Sequence, residues 1–198
     1  MSNSPRPPAV SGLAELASDY RFLLSDVWGV VHDGVRAFSK AVAALVEFRR
    51  AGGKVVLITN APRMKPQVLA QLEHFGIDSA AFDELVTSGE AAHDYLRARP
   101  GLRVHHLGPE RDLPVYEGLD LTLTGDADAD MISCTGLFDD EAETPDDYAS
   151  RFAVWRAAGL PMLCVNPDKV VERGNRLVWC AGALAEAYAA IDGETIIV

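Results

Sequence analysis

Residues 22–34 read FLLSDVWGVVHDG: an apolar run, one aspartate, then a tryptophan and a glycine. Phe22, Leu23 and Leu24 are continuous, and Val27, Val30 and Val31 carry the apolar character past Asp26. Such a run suits a strand buried on both faces, as in a parallel sheet. A carboxylate at the C-terminal end of that strand stands where open α/β sheets bind ligands. Taken alone, Asp26 reads equally well as a turn former or helix cap, because Asp is common at strand ends.

A second stretch repeats the pattern. Residues 54–63, KVVLITNAPR, hold a β-branched run from Val55 to Ile58 that closes on Thr59 and Asn60. Between the two runs, Val42, Leu45, Val46 and Arg49 recur at helical spacing behind Ser39, a candidate cap, and Gly52 and Gly53 end the segment. Pro66 suits the first turn of a helix over PQVLAQLEHFG. ELVTSG then reads as a third strand and EAAHDYLRAR as a helix, while Ser11 is a candidate cap for a short helix over GLAELASDY.

The alternation continues through LRVHHLG, DMISCTG, TPDDYASRFAVWRAAG, PMLCVN, RLVWC, AGALAEAYAAI and ETIIV. Buried strands alternating with amphipathic helices predict an α/β fold with a doubly wound parallel sheet. GLFDDEAETPDD, rich in acid, reads as a solvated loop entering a helix N-terminus, where the dipole favours carboxylates.

Composition narrows the function. The chain has 198 residues, 48% of them hydrophobic, enough for a sizeable core. A net charge of −11 argues against nucleic acid as partner, since neutralising phosphates needs a basic face. No apolar stretch approaches the roughly 20 residues of a membrane helix. MSNSPRPPAV lacks an apolar signal core and reads as a disordered lead-in. Cys134, Cys164 and Cys180 form no Cys-x-x-Cys pair, and an odd count points to the reducing cytoplasm. Cys134 and Cys164, in apolar runs, are expected in the core. His105 and His106 are adjacent and would face opposite sides of a strand, so both are read as structural.

Two strands ending in Asp26 and Thr59/Asn60 place both ends on one edge of a parallel sheet. A carboxylate nucleophile beside a hydroxyl and an amide suits a phosphoryl group: the carboxylate attacks phosphorus and the others bind its oxygens. A divalent cation is needed to bring two anions together, and Mg²⁺ with a carboxylate and waters fits.

These residues resemble the haloacid dehalogenase-like (HAD) superfamily, specifically its class IIA branch of nucleotide and p-nitrophenyl phosphatases. DVWGV is similar to the family's first motif, Asp-x-Asp-Gly-Val, and VVLITNAPR to its second, a strand ending in Thr-Asn. LVTSGEAAHDYL resembles the segment leading into the family's cap, and CVNPDKVVERGNRLVWCAGALAEAY a cap segment with Asn-Pro-Asp and a Gly-Ala-Leu helix. The resemblance implies that Asp26 is the nucleophile and a Mg²⁺ ligand, that residue 28 offers its backbone carbonyl to the metal, and that Thr59 and Asn60 bind phosphate. It implies a lead-in over 1–16, a first part of the Rossmann-like core over 17–87, an α/β cap over 88–192 and a strand returning to the core over 193–198. Asn166, Pro167 and Asp168 would lie on the cap, either facing substrate or merely forming an Asn-Pro turn. The implied partner is a small phosphorylated metabolite, with homo-oligomerisation through the cap allowed.

Two departures matter. The family's second motif-one Asp is the general acid/base, and Trp28 stands in its place; an indole cannot transfer a proton in that way. The family also follows its cap with a Lys in Gly-Lys-Pro and a Gly-Asp motif, whereas this sequence stops at ETIIV. The expectation is therefore a Mg²⁺-dependent phosphatase sequence shortened after the cap. Two alternatives stay open: another hydrolysis at Asp26, such as dehalogenation, or a ligand-binding protein that kept the fold and lost turnover. Against dehalogenation, about thirty residues separate Asp26 from Thr59, too few for a helical cap inserted there.

Overall fold

Three strands form the first sheet in a computed structural model that describes residues 9–198. They are β1 (Phe22–Asp26), β2 (Lys54–Thr59) and β3 (Glu84–Thr87), all parallel and adjacent in chain order. Helices α1 (Ser39–Arg50) and α2 (Lys65–His74) make the crossovers. Leu45, Phe48, Val68 and Leu72 from these helices pack on Val55, Leu57 and Leu85. Pro66 sits in the first turn of α2, while α1 begins at Ser39 without a side-chain cap. The short helix expected behind Ser11 shrinks to a 3₁₀ turn at Leu13–Glu15. Residues 1–8 of the expected lead-in lie outside the described residues.

The expected two-sided burial of β1 does not hold. Phe22 is 68% and Leu24 66% exposed, and Ile58 and Val86 on the neighbouring strands are exposed as well. Both crossover helices pack the opposite face, where Val55, Leu57 and Leu85 lie buried. Nothing among the described residues covers this one.

The second sheet has five parallel strands in the order β10-β7-β6-β4-β5. They are β4 (Leu102–Leu107), β5 (Leu121–Leu123), β6 (Met131–Cys134), β7 (Met162–Cys164) and β10 (Thr195–Ile197). Helix α3 (Ser88–Arg97) packs Ala92 and Leu96 against Val104 and Leu163. On the other face, Phe152 and Trp155 of α4 (Ala149–Ala157) join Leu184 and Tyr188 of α5 (Ala181–Ala189) around Ile132 and Met162. Cys134 and Cys164 are buried there as expected. A hairpin of β8 (Val170–Arg173) and β9 (Arg176–Trp179) stands apart from both sheets.

Residues 193–198 were expected to return to the first sheet; instead β10 pairs with β7 in the second. Helix α5 packs its apolar side on β6 and β7, so the strand that follows it lands beside β7, where Met162 N donates to the Glu194 carbonyl at 2.9 Å. His105 and His106 make separate contacts, with the Thr124 carbonyl at 3.2 Å and with Thr135 Oγ1 at 3.0 Å.

Candidate active site

Asp26 ends β1 opposite Ile58, so Thr59 stands one residue further along the neighbouring strand on the same sheet edge. Val27 N–H donates to Asp26 Oδ1 at 2.7 Å, which orients the carboxylate. Thr59 is buried, and its Oγ1 accepts from Ala61 N at 3.2 Å, bending the chain just past the strand. Next in the sheet, Thr87 caps α3 by accepting from Glu90 N at 3.1 Å. The 60–63 loop is seated on this cap. Gly89 N donates to the Ala61 carbonyl at 3.2 Å, and a Cβ on Gly89 would lie 2.3 Å from the Arg63 carbonyl oxygen. Only glycine permits that approach.

Asp26, Thr59 and Asn60 line one crevice of about 400 Å³, with Asn166 and Asp168 on its other side. Asn60 Nδ2 donates to Asp168 Oδ1 at 3.0 Å, joining the two sides directly. Asn166 Oδ1 accepts from Asp168 N at 3.0 Å, so the Asn-Pro-Asp segment is a side-chain-closed turn as well as a crevice wall. Pro167 is not among the lining residues. Its carbonyl instead packs against Gly182 at the start of α5.

Trp28 occupies the place between the two sides. Its indole N–H donates to the Glu172 carbonyl of β8 at 2.7 Å. A backbone contact runs parallel to it, Gly174 N to the Asp33 carbonyl at 3.5 Å. The residue at this position therefore ties the first strand's loop to the hairpin.

Among the described residues, no three Asp, Glu, His or Cys side chains converge to hold a metal ion. The strand end supplies one carboxylate, Asp26, and Trp28 lines the same crevice two residues on. Mg²⁺ keeps several waters and is often held by one or two carboxylates plus substrate phosphate. The donors present fit the lower end of that range.

A family model described as haloacid dehalogenase-like hydrolase matches residues 23–122. A crystal structure of a haloacid dehalogenase-like hydrolase from Brucella suis is 45% identical, superposes with a TM-score of 0.91, and is matched over 93% of this chain and 70% of its own. The chain belongs to the haloacid dehalogenase-like hydrolases.

Other solved structures share the fold at lower identity. Glycerol phosphate phosphatase Rv1692 from Mycobacterium tuberculosis, solved with magnesium, is 22% identical with a TM-score of 0.67, over 92% of this chain and 55% of that one. The p-nitrophenyl phosphatase from Archaeoglobus fulgidus is 18% identical with a TM-score of 0.69, over 89% and 67%. No curated protein matches the sequence.

In this haloacid dehalogenase-like hydrolase the crevice also holds groups that the sequence did not single out. His32 is buried, and its Nδ1 accepts from Gly34 N at 3.0 Å, which leaves the proton of the neutral ring on Nε2. Burial pushes its pKa down, against the pull of Asp33 and Asp26. Arg63, at the end of the quoted NAPR, faces the buried Asp112 at 3.5 Å. Burial pushes Asp112 up to about 6, although Arg63 and Arg111 pull the other way. Asp140, read as part of a solvated acidic loop, is instead clamped by Arg173 at 2.9 Å and Arg111 at 2.8 Å, and these hydrogen bonds hold its carboxyl low. Arg63 lay within a quoted motif. Asp112 and Asp140 carried no periodic or motif signal, because an Asp in a polar stretch reads the same whether solvated or paired. No helix among the described residues is long and apolar enough to cross a membrane.

Proposed function

We propose that the protein hydrolyses small phosphomonoesters through an aspartyl-phosphate on Asp26. One observation carries this reading: Asp26, Thr59 and Asn60 share one sheet edge and one crevice, closed from above by the 166–179 segment. An Asp26 carboxylate oxygen attacks phosphorus, the ester P–O bond breaks, and its electron pair leaves on the alcohol oxygen. Water then attacks the acyl phosphate and returns Asp26 and inorganic phosphate. Thr59 and the Asn60 amide would hydrogen-bond the phosphoryl oxygens. Asp26 and the Trp28 carbonyl would hold Mg²⁺, which supplies charge neutralisation between carboxylate and phosphate. The names of structural relatives, a glycerol phosphate phosphatase bound to magnesium and a p-nitrophenyl phosphatase, support both the reaction and the metal. Three buried free cysteines support a reducing, cytoplasmic setting.

A second reading, phosphate binding without turnover, is favoured by Trp28, whose N–H is committed to Glu172 where the family keeps a proton-transferring Asp. Release of p-nitrophenol from p-nitrophenyl phosphate with Mg²⁺ separates the two. Turnover abolished in Asp26→Asn supports hydrolysis, and phosphate binding without any release supports the binding protein.

A further inference from the structure

Asp112 is 2% exposed, yet one of its carboxylate oxygens, Oδ1, has no hydrogen-bond partner among the described residues. Its backbone is settled: Asp112 lies in the 3₁₀ segment Glu110–Tyr116 that follows β4, and its N–H donates to the Pro109 carbonyl at 3.0 Å. The side chain is not. Arg63 Nε stands 3.5 Å from Oδ1, an ion-pair distance beyond the roughly 2.7–3.2 Å of an N–H···O hydrogen bond. Arg111 is spent on Asp140 at 2.8 Å. The Thr135 hydroxyl, beside Asp112, is shared with His106 at 3.0 Å. A buried carboxylate oxygen without a donor is costly, and folded proteins keep few of them. Asp112 lines the crevice that also holds Asp26, Thr59 and Asn60, so the donor can come with whatever occupies that crevice.

Charge narrows the kind of donor. Five carboxylates but three guanidiniums line the crevice, and two of the three, Arg111 and Arg173, are both committed to Asp140. Arg63 and Arg111 do not offset the burial of Asp112, which pushes its carboxyl up to about 6 against their pull. A hydroxyl would close the hydrogen bond at Oδ1 and add no charge. An ammonium does both, as a charge-assisted hydrogen bond to a carboxylate short of positive charge. A phosphomonoester with its phosphorus at Asp26 must place its organic part in this crevice. We propose that Asp112 is the subsite for an ammonium group on that organic part, so that the site takes aminoalkyl phosphomonoesters in preference to uncharged ones. The proposal rests on the phosphatase reading and names its substrate class. The phosphate end then lies with Thr59 and Asn60, and the amine fills the open oxygen of Asp112.

The test is binding, not turnover. 2-Aminoethylphosphonate and propylphosphonate have no P–O ester bond to hydrolyse, share one chain length and differ in ammonium against methyl. 2-Hydroxyethylphosphonate adds a donor without charge. Affinities, with inorganic phosphate as reference, are measured by calorimetry with Mg²⁺ at about pH 7.5, where the amine and Asp112 are both charged. The expected result in wild type is about tenfold tighter binding of the amine than of propylphosphonate, with the hydroxyl compound between them. In Asp112→Asn the ratio of amine to propylphosphonate should fall to near one. Equal affinity for amine and propylphosphonate in wild type overturns the subsite while leaving phosphate binding standing. A hydroxyl compound that binds as tightly as the amine overturns selection by charge. Neither wild-type comparison depends on a variant that folds. A ratio unchanged in Asp112→Asn overturns the assignment to Asp112. Failure of inorganic phosphate and all three phosphonates to bind overturns the phosphatase reading and this proposal together.

Discussion

Replacing Gly89 with alanine should damage the site far more than the fold. Gly89 has ordinary helical surroundings, but its missing Cβ is what lets the 60–63 loop rest on the start of α3. An added Cβ would lie 2.3 Å from the Arg63 carbonyl oxygen, 2.4 Å from its carbonyl carbon and 2.6 Å from its nitrogen. All three are backbone atoms, so no side chain can rotate away. Restoring ordinary contact requires a shift of about 1 Å in the loop that carries Asn60. Overpacking of this kind costs about 1–3 kcal/mol, while alanine in place of glycine returns up to about 1 kcal/mol of helix propensity. The net loss is about 0–2 kcal/mol, or a fall in Tm of up to roughly 8 °C for a chain of this size. Activity should suffer more, because a misplacement of about 1 Å can cost about 100-fold. The assay is kcat/KM on p-nitrophenyl phosphate beside a thermal melt, with Gly125→Ala as control, since a Cβ there meets nothing within 4 Å. Wild-type activity and stability in Gly89→Ala would refute the claim that α3 positions the phosphate-binding loop.

Asp26→Asn should abolish hydrolysis and leave the melt within about 1 °C, because the amide oxygen can still accept from Val27 N and only the nucleophile is lost; unchanged turnover would remove Asp26 from the mechanism. Trp28→Asp should accelerate alkyl phosphates more than aryl ones, since general acid catalysis contributes about 100- to 10,000-fold where the leaving group needs a proton; a flat dependence on leaving-group pKa in both proteins would refute it. Stability between pH 4 and 6 should reflect two opposed groups, the half-buried His106 and the buried Asp112. Burial pushes His106 down to about 4 from 6.5, so over that interval only the unfolded chain takes the proton and stability falls as pH falls. Asp112, pushed up to about 6 from 3.8, holds an extra proton when folded, so its contribution is present at low pH and lost as pH rises through 6. From pH 6 to 4, His106→Gln should therefore gain stability relative to wild type and Asp112→Asn should lose it, by at most about 1.4 kcal/mol per pH unit each. Urea midpoints at pH 4, 5 and 6 check this, and parallel profiles in all three proteins would refute it.

The sequence by itself determined the strand ends and their chemistry. Apolar runs that stop at Asp26 and at Thr59 are local patterns, and parallel βαβ connection is enough to bring both ends to one edge. Pro66 in the first turn of α2 and the buried Cys134 and Cys164 were legible for the same reason: each is decided within a few residues. The tertiary structure alone decided whatever depends on which surface is left free. An apolar run encodes burial but not how many layers cover it, so the bare face of Phe22 and Leu24 could not be read from β1. ETIIV is equally suited to either sheet; α5, by packing on β6 and β7, delivered it to the second. The pairing of Arg111 and Arg173 on Asp140 joins three separate loops and strands that share no local signal. Trp28 shows the boundary most sharply. The sequence shows that no proton donor stands at that position, which is a property of the residue. The ring's tie to the carbonyl of Glu172, 144 residues away, is a property of two chain segments meeting, and only their packing could supply it.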